Sequence, residues 1–273
     1  MLRKAGVAFR GPADLRGEGN ALQDRFDFDD SQKNRAGRTA EEELAVLSKG
    51  RRRLILSEEN YLGKIWQSRA QKRPPIYPGA DSQIAALVPH LGGRPLTLFV
   101  AMRNPADFLV SAYSQSLLGG KIESFEDFMG DLSFQDLRAT NVIRRMSLID
   151  GASGIYVWKY ENYPRNFTQI MRRLVGWRVG KDIIPLDQVV HRGLSAEAVE
   201  QVLALDSLPK EREERRELVR AARDQFPISG GNSRFMPFDE AARIDAAEVY
   251  AQDWDEILQI EGVSEIGARR KSR

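Results

Sequence analysis

The chain has 273 residues, 42% of them hydrophobic and 29% charged, with 41 Lys and Arg against 39 Asp and Glu for a formal charge of +2. That length supports one large core or two ordinary ones, and the near-balanced charge excludes a global polyanion-binding field, so any anion site must be local. No cysteine and only two histidines, His90 and His191, are present, which excludes disulfides and cysteine-ligated or histidine-rich metal centres and leaves little material for a Ser-His-Asp triad.

No run approaches the roughly 20 apolar residues of a membrane span, and "MLRKAGVAFRG" is too broken for the core of a secretory signal. The expectation is a cytoplasmic protein with no transmembrane segment and no resident metal. Residues 10–38 are rich in Gly, Asp and Arg without period and read as a loop with one short helix. "TAEEELAVLSKG" sets Thr39 three residues before Glu42, a capping-box spacing, and closes on Gly50. "LILS" suits a buried strand, "DSQIAALVPHL" a helix and "LTLFVAM" a second buried strand. In "NPADFLVSAYSQSLL" Asn104 is the expected N-cap, Pro105 the first helical residue and Asp107 the third.

"GIYVWKY" alternates as a strand, and "ENYPRNFTQIMRRLVG" comes next as a helix that tolerates Pro164 only in its first turn. From residue 195 onward "SAEAVEQVLALDS", "PKEREERRELVRAARDQF" and "FDEAARIDAAEVYAQDWDEIL" read as helices, with no strand. The expected architecture is α/β: a parallel sheet covered by helices over residues 1–190, with a helical region over 191–273 packed on the same domain. Charge-rich residues 210–220 read as a solvated helix face. No aromatics interleave with their basic side chains, so no nucleic-acid partner is expected.

In an open α/β sheet ligands sit beyond the carboxyl ends of the strands, where the N-terminus of the next helix favours anions. Arg103 falls at such a strand end, and Ser111 lies about two turns further along the helix. A guanidinium fork, backbone N–H groups and a hydroxyl can close on a phosphate there. The same spacing also suits a surface ion pair and an ordinary half-exposed serine.

"RNPADFLVSAY" resembles the 3′-phosphate-binding segment of sulfotransferases that use 3′-phosphoadenosine 5′-phosphosulfate (PAPS), in which R-x-P-x-D-x-x-x-S-x-Y spans a strand end and the adjoining helix. Arg103, Pro105, Asp107, Ser111 and Tyr113 all fall in register. The resemblance implies that Arg103 and Ser111 hold the 3′-phosphate of PAPS on a P-loop-NTPase-like, sulfotransferase-type sheet. "LILSEENYLG", "IYPGADSQIAALVPHL", "IYVWKYENY" and "GLSAEAVEQV" are similar to their counterparts in bacterial sulfotransferase-like proteins, so the likeness covers about residues 1–260.

The family's other signature, a glycine-rich strand-loop-helix whose lysine cradles the 5′-phosphosulfate, has no counterpart in "RGPADLRGEGN" or "ISGGNSRF". "LRKAGVAFRG" is similar to the family segment just C-terminal to that unit, which comprises the end of a first helix and then a second strand. The expectation is therefore that the chain begins inside the fold, with the first strand and phosphate loop either upstream or lost. A lost central strand would leave an unpaired sheet edge.

Sulfuryl transfer requires alignment of donor and acceptor and a base for the attacking hydroxyl. By resemblance to relatives that use a glutamate after this strand, Glu59 is the expected base and Glu58 the reserve. Both also suit a solvated acidic pair that caps the next turn. His191 is an outside candidate, His90 a packing residue, and Lys159 a structural ion-pair member beside Glu161. Arg234, in a late glycine turn, is a further nucleotide-contact candidate. Trp66, Trp158, Trp177 and Trp254 read as core. The leading expectation is sulfuryl transfer from PAPS to a hydroxyl of a saccharide or small molecule, and the alternative is a catalytically silent module of the same fold. A magnesium-dependent kinase-like enzyme ranks last, because its Lys-Ser/Thr phosphate loop is absent. Neither the acceptor nor the oligomeric state is encoded legibly.

Overall fold

A computed structural model describes residues 2, 6–17, 21–66, 76–185, 193–205, 207, 209–228 and 231–267. Its first elements are β1 (Val7–Arg10), α1 (Pro12–Leu15), α2 (Leu22–Arg25), α3 (Ala40–Ser48), β2 (Arg53–Leu56), α4 (Ala80–Leu87), β3 (Leu96–Met102), α5 (Pro105–Leu118) and α6 (Phe125–Met129). Then come α7 (Thr140–Ser147), β4 (Ala152–Lys159), α8 (Tyr163–Val175), α9 (Trp177–Gly180), α10 (Ala196–Leu203), α11 (Arg212–Gln225), α12 (Glu240–Ile257) and β5 (Val263–Glu265). The architecture is α/β, with parallel sheets flanked by helices.

The chain divides into two units: Met1–Met102 with Ala139–Pro185 and Asp253–Arg273, and Arg103–Arg138 with Leu186–Gln252. Residues 103–138 thus cluster with the C-terminal helices.

All five strands of the described residues belong to the first unit. β1 pairs with β2, β3 with β4, and β4 with β5, every pair parallel. Helix α3 starts as its sequence dictates: Thr39 Oγ1 accepts from Glu42 N at 3.3 Å, and the Glu42 carboxylate accepts from Thr39 N at 2.8 Å. Lys49 ends it in the left-handed region, and Gly50 comes next at φ +69°. Arg145 of α7 donates to Tyr77 O at 2.9 Å and Pro78 O at 3.1 Å and pairs with Asp81, which ties the start of α4 to α7. Helix α8 lays Ile170 against Trp158 and Ile266, with Phe99, Tyr156, Met171 and Leu174 packed around them.

Three findings depart from the sequence reading. Among the described residues the strands form two sheets, of two and three strands, instead of one. The region after residue 195 also contains a strand, β5, which pairs with β4 through Ile155↔Val263 and Val157↔Glu265. Its three residues, Val263, Ser264 and Glu265, are too few and too polar to carry a period of two. Residues 10–38 hold two single helical turns, α1 and α2, where one was expected.

The second unit is held by rings. Tyr113 on α5 meets Phe125, Phe128 and Phe235 at centroid distances of 5.2, 5.3 and 5.4 Å, and Phe238 meets Phe125 and Phe134 at 5.3 and 5.2 Å. Val199 and Val202 of α10 and Val219 and Ala222 of α11 are buried, so these helices bury one face each despite their charge. Helix α12 contributes its residues up to Gln252 here, and the remainder to the first unit.

Candidate functional site

Helix α5 begins as its first residues require. Asn104 Oδ1 accepts from Ala106 N at 2.9 Å, Pro105 fills the first helical position, and Asp107 places its charge in the first turn. Arg103, directly before the cap, and Ser111, two turns on, are both half-buried.

The five motif residues separate by role. Pro105 and Tyr113 are buried. Tyr113 donates its hydroxyl to Glu123 O at 2.7 Å, and burial, reinforced by the Glu123 and Glu126 charges, pushes its pKa up to about 12. Arg103, Asp107 and Ser111 keep partial access to solvent. Asp107 and Ser111 stand four residues apart, one above the other on a single helix face.

Arg234 reaches that face, with Nη1 2.9 Å from Asp107 Oδ1. Its loop is pinned on both sides: Ala196 N donates to Ser233 O at 2.8 Å, and Phe235 N to Leu194 O at 3.1 Å, around a Ser195–Arg234 bridge. Phe235 then packs on the Tyr113 ring. The second unit therefore brings Arg234 to the motif helix, one turn from Ser111, and an anion reaching Arg234 competes with Asp107 for it. Sequence reasoning named Arg234 but missed its partner, because nothing local to the late glycine turn encodes a contact with α5.

Glu58 and Glu59 belong to the first unit, in the 3-10 turn Glu59–Leu62 and its cap just past β2. The Glu58 carboxylate accepts from Asn60 N at 2.9 Å and receives a fork from Arg16, Nε to Oε2 and Nη2 to Oε1, both at 2.9 Å. Arg16 Nη2 also reaches Glu59 Oε1 at 3.2 Å. The Glu58 side chain is 3% exposed and that of Glu59 is 83% exposed. Burial alone would raise the Glu58 pKa, but the Arg16 and Asn60 hydrogen bonds outweigh it and hold the carboxyl below the usual glutamate range. A carboxylate stabilised in this way is a weak proton acceptor, so Glu59 is the more available of the two.

Replacing Glu58 by Gln is expected to cost about 1–2 kcal/mol, between exposed and buried ion pairs because Arg16 is solvent-screened. Because the folded-state pKa is lowered, that stabilisation is complete above the ordinary glutamate value and is lost as pH falls through the lower folded value. Urea unfolding of wild type and E58Q at pH 7 and pH 3 checks it: the difference should shrink at the lower pH, and an unchanged difference would refute the ion-pair origin.

The remaining candidates scatter. Lys159, at the end of β4, lies 5.2 Å over the Trp254 ring. His90 packs against Phe28 at a 4.4 Å centroid distance, and burial lowers its pKa. His191 lies outside the described residues. Trp158 and Trp254 are core, as expected, but Trp177 is 69% exposed with the Arg172 guanidinium 3.9 Å from its ring centre.

A cavity of about 490 Å³ in the second unit is lined by Gly120, Lys121, Ile122, Arg212 and Arg215. It lies past the C-terminal end of α5, about 20 Å along the helix from Arg103 at 1.5 Å rise per residue. Arg212 and Arg215 donate there to Gly119 O and Gly120 O, both at 2.8 Å, which places cations at the carbonyl end of the helix. Among the described residues no helix is long and apolar enough to cross a membrane.

The fold and these contacts define an α/β protein with a cationic, serine-bearing helix start. No family model, no curated protein and no solved structure matches the chain.

Proposed function

We propose that this chain is a PAPS-dependent, sulfotransferase-type protein of P-loop-like architecture, transferring a sulfuryl group to a hydroxyl of a saccharide or small molecule. The observation that carries this reading is the α5 start, where Arg103 precedes a satisfied Asn104 cap and Ser111 shares a helix face with the Asp107–Arg234 pair. Arg103 and Ser111 are assigned to the 3′-phosphate, with Arg234 as a third contact once an anion displaces it from Asp107. In the transfer the acceptor oxygen attacks sulfur, the bond from sulfur to the 5′-phosphate oxygen breaks, and Glu59 takes the hydroxyl proton. Adenosine 3′,5′-bisphosphate is the leaving product.

One observation favours a catalytically silent module instead: Arg16 contacts both candidate base carboxylates, Glu58 and Glu59. The two readings share the nucleotide site and differ in turnover.

Calorimetric titration with adenosine 3′,5′-bisphosphate tests the shared site. Arg103→Ala is expected to weaken binding by about 1.5–3 kcal/mol, a typical loss for a hydrogen bond to a charged group, or roughly 10- to 150-fold. Ser111→Ala should cost less, about 0.5–1.5 kcal/mol. A wild type that binds no more tightly than Arg103→Ala ends the claim. Binding without sulfuryl transfer to any hydroxyl acceptor selects the silent module.

A further inference from the structure

Residues 163–181 hold five cations and no acid, in a chain whose 39 acids amount to one residue in seven. Arg172 and Arg173 stand in the last turn of α8, and Arg178 and Lys181 in and directly after α9. A second basic run, residues 51–53, all arginine, leads into β2. The two runs meet, because Arg53 Nη1 donates to Leu174 O at 2.8 Å across 121 positions of sequence. Among the described residues none of these seven side chains pairs with a carboxylate. A chain of formal charge +2 thus gathers seven cations at one corner of its first unit, with Asp182 as the adjoining acid. Unpaired like charges repel and oppose folding, so the cluster calls for an external counter-charge.

The same corner exposes apolar surface. Trp177 is 69% exposed and Ile184 83%. Asp182 N donates to Val179 O at 3.1 Å, and Ile184 is two residues further, so chain reach keeps it within about 7 Å of that turn. The indole is held in place from beneath. Gly176 ends α8 at φ +99°, and a Cβ on Gly180 would stand 2.4 Å from Arg172 N and 2.5 Å from Arg172 Cα, so α9 lies directly on the backbone of α8. The Arg172 guanidinium then stacks 3.9 Å from the centre of the Trp177 ring, with its Nε buried and without a hydrogen-bond partner.

Helix α8 starts just past the carboxyl end of β4, and its 13 residues run back about 20 Å. Its last turn therefore meets Arg53 at the start of β2, while Glu58 and Glu59 lie beyond the other end of that strand. The corner belongs to the amino-terminal end of the strands, away from the rim where the candidate base stands.

We propose that the α8–α9 corner, with the arginines that lead into β2, docks the protein on an anionic lipid bilayer. Each class of side chain present has its place there: cations meet anionic headgroups, an indole sits at headgroup level, and an aliphatic side chain enters the acyl boundary. The apolar pair favours a bilayer over a soluble polyanion, because a polyanion offers an exposed isoleucine nothing to enter. Docking through this end leaves Glu58 and Glu59 clear of the lipid. The inference is independent of the proposed activity, since vesicle binding tests one and nucleotide binding the other.

The test is co-sedimentation with large unilamellar vesicles, of phosphatidylcholine alone or mixed with phosphatidylserine. The mixed vesicles should bind at least about 10-fold more tightly at about 0.1 M salt, and most of that difference should vanish at about 1 M, where the Debye length is about 3 Å. Arg173→Glu with Arg178→Glu should weaken binding by at least about 10-fold, and Trp177→Ala with Ile184→Ser by about 10-fold. All four side chains are exposed, so thermal unfolding midpoints should stay near wild type. Lipids with brominated acyl chains should quench part of the wild-type emission, and Trp177→Phe should lack that quenched part; this comparison decides if a double variant fails to fold. The proposal is overturned by no binding to the mixed vesicles, by equal binding to both kinds, or by quenching that persists in Trp177→Phe. It is also overturned if Trp177→Ala with Ile184→Ser binds as wild type does, and equally tight binding to heparin would then identify a soluble polyanion as the partner.

Discussion

Glu43→Ala is expected to lower stability by about 3–5 kcal/mol, the usual loss when one partner of a buried ion pair is removed. Glu43 sits in the first turn of α3 with its side chain fully buried. Its carboxylate accepts from Arg25 Nη1, and from Arg38 Nη1 and Asn34 Nδ2 at 3.1 Å each. Asn34 in turn donates to Arg25 O at 2.9 Å, and its Oδ1 accepts from Ala36 N and Arg38 N at 3.0 Å.

One carboxylate therefore organises residues 25–38, a stretch with no regular structure of its own beyond the end of α2. Removing it takes the Glu43 carboxylate away from the Arg25 guanidinium, whose side chain is only 13% exposed. Burial alone would raise the Glu43 pKa, but the hydrogen bonds from Arg25, Asn34 and Arg38 bring it below the ordinary value. That stabilisation is present above about pH 4.3 and disappears as pH falls through the lower folded value. Urea unfolding at pH 7 should show a lower midpoint with an unchanged slope. A midpoint within error of wild type would mean that residues 25–38 contribute nothing to the cooperative fold.

The features legible in the sequence are those whose cause is local. Thr39 and Glu42 announce α3, and Asn104, Pro105 and Asp107 announce α5, because a cap is satisfied within four residues of itself. "LTLFVAM" and "GIYVWKY" announce strands because their period is internal. Arg103 and Ser111 were legible as a pair for the same reason, being residues of one helix start.

What was illegible depends on contacts between distant segments. Arg16 is 42 positions from Glu58, and no pattern in "ADLRGEG" points to the turn after β2. The Asp107–Arg234 pair, the Glu43 network and the pairing of β5 with β4 are of the same kind. Trp177 shows the converse: composition marks a tryptophan as core, but one placed just after Gly176 at the end of α8 stays in water beneath an arginine. An interrupted sheet was foreshadowed only by the absent glycine-loop unit, since "LILS" and "LTLFVAM" themselves read as interior strands whether or not both neighbours are present.

Asp253→Ala is the second large effect, expected to cost about 3–4 kcal/mol. Asp253 is buried, and its carboxylate accepts from Ala139 N at 2.8 Å, Thr140 N at 3.0 Å and Thr140 Oγ1 at 2.5 Å. Alanine leaves two backbone donors buried without their carboxylate acceptor, each costing about 1–3 kcal/mol before the sum is reduced by relaxation, and leaves the Thr140 hydroxyl only its 3.4 Å contact with the residue-253 carbonyl. Helix α7 has no side-chain cap of its own at Ala139, so Asp253 supplies the cap from near the C-terminal end of α12, the helix that precedes β5 in the chain. Losing it should loosen both the start of α7 and the approach to β5.

The expected order of stability is wild type, then Asp253→Asn, which retains one acceptor oxygen, then Asp253→Ala. Thr140→Val should cost markedly less in the Asp253→Ala background than in wild type, because the hydroxyl's short bond to the carboxylate is already gone and only the 3.4 Å contact with the residue-253 carbonyl remains. Amide exchange at Ala139 and Thr140 should accelerate in Asp253→Ala well beyond the global loss. If those two amides exchange no faster than the rest of α7, the carboxylate does not cap the helix, and the link between the C-terminal strand and β4 rests on backbone pairing alone.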